Sequence, residues 1–150
     1  MSRPITLGRR IGFDYGEKRI GVATSNNESI LVSPHATILN DAQLKIKLSE
    51  ILDEVQPIYV VVGDPKHLSG RESDKSRSAM AFALQIRKKY AGSIYLVDER
   101  YSTVSSNNKL KELGISERDG RSIIDQIAAI SILEAALQNE RAGIPIGEIV

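Results

Sequence analysis

Residues Ile11–Ala23 read IGFDYGEKRIGVA, and the fold is decided by how this stretch is parsed. Ile11, Phe13, Ile20 and Val22 are residue types that suit a half-buried pleated surface, and they flank a polar run containing a glycine. The pattern predicts two antiparallel strands joined by a hairpin loop at Tyr15–Arg19, with Gly16 supplying the positive φ of the turn. Asp14 is left at the lip of the sheet, where its carboxylate faces solvent or a metal ion. The same residue is also readable as a plain turn starter.

Downstream, Asn26, Asn27 and Glu28 make a second turn, and Ile30–Ile38 returns as a third strand that Pro34 assigns to a sheet edge. Asn40 or Asp41 caps a helix whose apolar residues Leu44, Leu48, Ile51, Leu52 and Val55 recur at helical spacing, and Pro57 stops it. Ile58–Val62 is a short β-branched run, as expected of a central parallel strand, and it ends at Gly63, Asp64 and Pro65. The polar stretch Lys66–Arg77 separates it from a helix carrying Ala79, Phe82, Ala83 and Ile86. Ser93–Val97 is a fifth strand that delivers Asp98, Glu99 and Arg100 at its end. Ser102 caps a helix running to Leu113, and a last helix runs from near Ser122 to Arg141 and stops at Gly143. The tail 144–150 has no assignable element.

This order predicts one α/β domain over residues 1–150. It has a five-stranded mixed sheet, three antiparallel strands followed by two parallel ones, with helices on both faces. Ligand sites in such sheets lie outside the carboxyl ends of the parallel strands, so Asp14, Asp64 and the Asp98–Glu99 pair end on one rim.

Composition narrows the chemistry. The 150 residues contain no Cys and only two His, which excludes disulfides, thiol catalysis and thiolate zinc sites. Any metal has to be held by oxygen ligands, which suits Mg2+ or Mn2+. No apolar run approaches a membrane span and the first residues lack a signal-peptide core, so a cytoplasmic protein without membrane contact is expected. The formal charge is +1, yet Arg3, Arg9, Arg10, Lys18 and Arg19 crowd the start of the chain, and a near-neutral sum can conceal a basic face beside an acidic pocket.

Asp125 shares a helical face with Ala128, Ala129, Ile132 and Ala136, so its carboxylate points inward, and the small alanines let this helix approach the sheet. Ser122–Asp125 also fits a capping box. Of Asp98 and Glu99, neighbouring strand residues that face opposite sides, Glu99 has the longer reach. Three converging carboxylates disfavour ionisation unless a cation joins them, and a divalent metal is the simplest cation. Lys18, Arg19 and Arg100, with backbone donors near Gly16 and at the start of the Ser102–Thr103 helix, would hold the phosphates of a polyanion.

Four blocks, IGFDYGEKRIGVA, VVGDPKHLSG, DERYST and DQIAAISIL, resemble in order and spacing the signature blocks of the YqgF family, also called RuvX, over about Arg9 to Gln138. The resemblance implies a ribonuclease H-like fold similar to Holliday-junction resolvases of the RuvC type. It also implies nuclease activity in 5′-end maturation of precursor 16S ribosomal RNA, pre-ribosomal particles as partners, and Asp14, Glu99 and Asp125 as the acidic metal ligands. Two features depart from the family. Asp64 stands where an apolar residue is usual, at a place where related resolvases carry an acidic ligand, and its bland reading is an Asp-Pro turn starter. The normally basic segment before the last helix is nearly neutral over Glu117–Arg121.

Three function classes follow. The leading one is a metal-dependent nuclease acting on structured RNA or branched DNA. The second is a non-catalytic RNA- or ribosome-associated protein. The third is an ATP-using fold of the actin and sugar-kinase kind, whose phosphate-binding hairpin resembles Asp14–Gly21 but which needs two such domains.

Overall fold

The structure, a computed structural model, describes residues 6–65, 74–99 and 121–150. Strands β1 (Arg10–Asp14), β2 (Arg19–Ser25) and β3 (Val32–Leu39) precede helix α1 (Leu44–Val55). Strand β4 (Tyr59–Asp64), helix α2 (Asp74–Arg87), strand β5 (Ser93–Asp98), helix α3 (Arg121–Ala142) and strand β6 (Glu148–Ile149) follow. The sheet order is β3-β2-β1-β4-β5-β6. β1 pairs antiparallel with β2 and parallel with β4, and β4 pairs parallel with β5.

Strand alternation sorts the core into two layers. Ile11, Phe13, Ile20, Val22, Val60, Val62, Ile94 and Leu96 point to the face covered by α1 and α2. Ala23, Tyr59, Val61 and Val97 point to the face covered by Ala129, Ile132, Leu133 and Leu137 of α3. The expected helices on both faces are thus present, and β3 is an edge strand. The register of β2 and β3 slips between Val22 and Ala23, opposite Ala36 and Pro34, because a proline cannot donate to a ladder and is accommodated at an edge irregularity.

Among the described residues the sheet has six strands, not five. The tail pairs antiparallel with β5 through Tyr95↔Ile149 and Leu96↔Glu148, and the Val150 amide donates to the Ile94 carbonyl at 2.9 Å. A two-residue strand has no period to read. Helix α1 begins at Leu44, later than a cap at Asn40 or Asp41 would place it. Asp41 Oδ1 instead accepts the Gln43 amide at 2.9 Å in the preceding turn, while Asn40 Nδ2 donates to Tyr15 Oη at 3.1 Å and to the Gly16 carbonyl at 3.0 Å. Asn40 therefore braces the β1–β2 loop.

The cationic start of the chain is in part structural. Arg10 is fully buried, paired with Glu140 at 2.8 Å, stacked over the Tyr59 ring and donating to the Gly8 and Thr6 carbonyls. Glu140 also accepts the Tyr59 hydroxyl at 2.7 Å, and burial pushes the Tyr59 hydroxyl pKa up. Arg9 donates to Ser25 and Thr24. Two of the five cations thus tie β1 to β2 and α3. Among the described residues no helix is long and apolar enough to cross a membrane.

Candidate active site

β1, β4 and β5 run parallel and end on one rim, where a cleft of about 500 Å³ opens. The β1–β2 loop forms one wall and carries Asp14, Gly16, Lys18 and Arg19. Lys75 and Ser78 of α2 face it, with Glu99 and Asp125 completing the lining.

Side-chain alternation decides which carboxylates meet. Ile11 and Phe13 face α1 and α2, so Asp14, one position on, faces α3. Glu99 lies on this face too, folded back over β4: a Cβ on Gly63 would overlap both the Glu99 carboxylate and Ile132. Gly21 does the same for the helix, since a Cβ there would overlap the main-chain oxygen of Asp125. Glycines in the strands and alanines in α3 together let the first turns of the helix settle onto the sheet, which brings Asp125 to the rim.

Asp14 and Glu99 are hydrogen-bonded to each other. Burial, reinforced by the charges of Glu99 and Asp125, pushes the Asp14 carboxyl up from 3.8 to about 8. Burial also raises Glu99, with the charges of Asp64 and Asp98 acting in the same direction and the Asp14 hydrogen bond and Lys75 acting against it. Both carboxyls are therefore pushed up, and the two compete for ionisation across their hydrogen bond. Asp125 Oδ2 accepts a hydrogen bond from Arg19 Nε at 3.0 Å.

Asp64, read as an Asp-Pro turn starter, is the last residue of β4 and 3% exposed. Its carboxylate accepts a hydrogen bond from Ser76 Oγ of α2, and its carbonyl accepts the Glu99 amide at 3.1 Å. Val60 and Val62 of the same strand face α1 and α2, so alternation turns Asp64 away from the face that carries Asp14, Glu99 and Asp125. Asp98 pairs in register with Asp64.

Gly16 also needs correction. Its φ is not among the positive values of the described residues, which belong to Gly8, Ser29, Gln56 and Gly143. A Cβ at Gly16 would instead overlap the Arg19 carbonyl, so close approach within the loop requires the glycine. Arg100, Ser102 and Thr103 lie outside the described residues. Lys75 and Ser78 are cleft residues that the sequence reading did not single out. They stand three apart on the first turn of α2, a helix recognisable only by its later apolar positions.

The donor set suits a hard divalent cation. Two partly buried carboxylates are within hydrogen-bonding reach of each other, and a third lines the same cleft, which is an arrangement of oxygen ligands without sulfur or nitrogen. Among the described residues no three acidic or histidine side chains stand at metal-holding distance, and Asp125 is paired with Arg19.

A mixed six-stranded sheet with helices on both faces and acidic side chains at its rim defines a RuvC-like, ribonuclease H-like fold. Thermus thermophilus RuvC in complex with a Holliday junction substrate superposes with a TM-score of 0.63 at 14% identity, covering 95% of this chain and 99% of that one. The chain belongs to the RuvX family, whose model carries the description Holliday junction resolvase and matches residues 8–139. A Streptomyces coelicolor protein named "Putative pre-16S rRNA nuclease" is 39% identical over 145 residues, 94% of this chain and 87% of its own length. A Mycolicibacterium smegmatis protein of the same name is 37% identical over 143 residues, 91% of this chain and 84% of its own.

Proposed function

We propose that this chain is a metal-dependent nuclease whose Asp14, Glu99 and Asp125 hold Mg2+ or Mn2+, and that its substrate is the 5′ end of precursor 16S ribosomal RNA in cytoplasmic pre-ribosomal particles. The observation that carries the reading is the partly buried, hydrogen-bonded Asp14–Glu99 pair at the cleft. Two carboxylates that compete for ionisation at the carboxyl ends of parallel strands are a poor structural device and a good divalent-ion cradle. The substrate is supported by the name that the bacterial relatives share.

A divalent ion bound there supplies a Lewis acid that generates the water nucleophile and stabilises the leaving oxygen. The chain's own residues do the rest. Asp14, Glu99 and Asp125 would hold the ion through ionised carboxylates, so a proton held between Asp14 and Glu99 would have to leave for it to bind. Lys18 and Arg19 on one wall, and Lys75 on the other, hold phosphates on either side of the scissile bond. Arg100, Ser102 and Thr103, which the sequence blocks suggest as substrate contacts, and the main chain at Gly16 are part of the same proposal.

The test is cleavage of a 5′-extended 16S precursor transcript, with a four-way DNA junction in parallel. The parent protein is expected to cut the transcript only with Mg2+ or Mn2+, and the folded Asp14→Asn variant is expected to be inactive. Equal cleavage by both proteins, or none by the parent, overturns the reading. Cleavage of the junction alone keeps the nuclease and replaces the substrate.

A further inference from the structure

Asp14 and Glu99 meet each other, but Asp125 meets a cation that belongs to the chain. Arg19 stands at the first position of β2, and its Nε reaches Asp125 Oδ2, 106 residues away, at 3.0 Å. Both side chains are partly open to the cleft, at 37% and 21% exposure. The guanidinium engages Asp125 through Nε and is not buried, so the bond is one a stronger competitor can displace. The charge of Asp125 is felt at Asp14, yet no three acidic side chains among the described residues stand at metal-holding distance.

We infer that Arg19 is the resident counter-ion of Asp125. In this scheme it occupies the third carboxylate until a divalent cation takes that carboxylate, and it then turns its guanidinium to the substrate phosphate. This rests on the metal site of the proposed function and adds an exchange to it. With no ion bound, the Arg19–Asp125 pair holds the third ligand apart from Asp14 and Glu99, and the cleft keeps its phosphate-binding cation engaged. Ion binding breaks one ion pair, moves Asp125 toward the other two carboxylates and frees a planar donor for a phosphate. Metal and substrate binding are thereby coupled through one side chain, and the coupling is reciprocal.

The exchange has an unusual sign. A residue that merely orients a metal ligand lowers metal affinity when it is removed, whereas a counter-ion that competes with the metal raises it. Mn2+ binding to the whole protein, read from the loss of the free-ion electron paramagnetic resonance signal, is expected to tighten about threefold to fivefold in Arg19→Gln, the range of an exposed ion pair. Arg19→Lys, which keeps the charge but loses the planar Nε–H, is expected to fall between the two. In the parent, the Arg19 Nε–Hε nuclear magnetic resonance signal is expected to be protected without metal and to broaden by solvent exchange on addition of Mg2+. Unchanged or weaker Mn2+ binding in Arg19→Gln overturns the exchange and leaves the metal site standing, provided that Mn2+ binding by the parent is abolished in Asp14→Asn. A parent protein that binds no Mn2+ overturns both.

Discussion

Replacing Asp14 with Asn changes stability by an amount that depends on pH. In the folded protein this carboxyl is raised from 3.8 to about 8, while in the unfolded chain it titrates near its ordinary value. Between those values the folded state keeps a proton that the unfolded state releases. The stability associated with Asp14 is therefore complete below about pH 4 and is lost as pH rises through about 8. The amide of the Asp14→Asn variant is neutral at every pH and donates to Glu99 as the protonated acid does. Parent and variant are thus expected to be nearly equal near pH 4 and to diverge above it, the variant becoming the more stable. At about 1.4 kcal/mol per pH unit the interval sets a ceiling of about 6 kcal/mol, and opening of the cleft to water leaves on the order of 2 kcal/mol at pH 9. Urea unfolding in a chelator at pH 5 and pH 9, with an unchanged m-value, reads the difference. Mg2+ at about one hundred times its Kd is expected to add about 2.7 kcal/mol to the parent at neutral pH and nothing to the variant. A variant that is less stable than the parent at pH 9, or a difference that does not vary with pH, refutes the competition for ionisation within the pair.

Three other substitutions probe the scaffold and the cleft. Gly21→Val forces a side chain into the Asp125 main chain and is expected to lose about 2–3 kcal/mol in urea unfolding; an unchanged midpoint contradicts the close approach of α3. Glu140→Ala leaves the buried Arg10 guanidinium without its carboxylate, for an expected loss of about 3 kcal/mol; a loss under about 1 kcal/mol means that Arg10 reaches water. Lys75→Gln removes a cation from the wall opposite the hairpin. It is expected to weaken RNA binding in filter or anisotropy assays and to lower the slope of log affinity against log salt by about 1, whereas an unchanged slope removes Lys75 from the phosphate path.

The sheet was legible because its signals are local. Alternation on both sides of Asp14 marks the hairpin, and the apolar runs before Asp64 and Asp98 mark buried parallel strands. The same alternation, once a register exists, separates Asp64 from Asp14. Sequence alone could not apply it, because it does not say which face each strand presents. Charge reading failed at Arg10 for a similar reason. A cation at the first position of a strand reads as surface, and its burial depends on Glu140, 130 positions later. The Arg19–Asp125 pair is equally non-local, and β6 is too short to carry any pattern. The inward face of Asp125 was readable from its alanines. The strand glycines that complete the contact read only as turn or strand punctuation until the helix lies on them.

The most direct measurement is an anomalous-scattering map from crystals of the protein soaked in Mn2+. Density is expected at the rim between the carboxylates of Asp14, Glu99 and Asp125, with Asp125 turned from Arg19 toward the other two. Ordered Mn2+ elsewhere, with the Asp14–Glu99 hydrogen bond intact at saturating metal and neutral pH, would contradict the metal site.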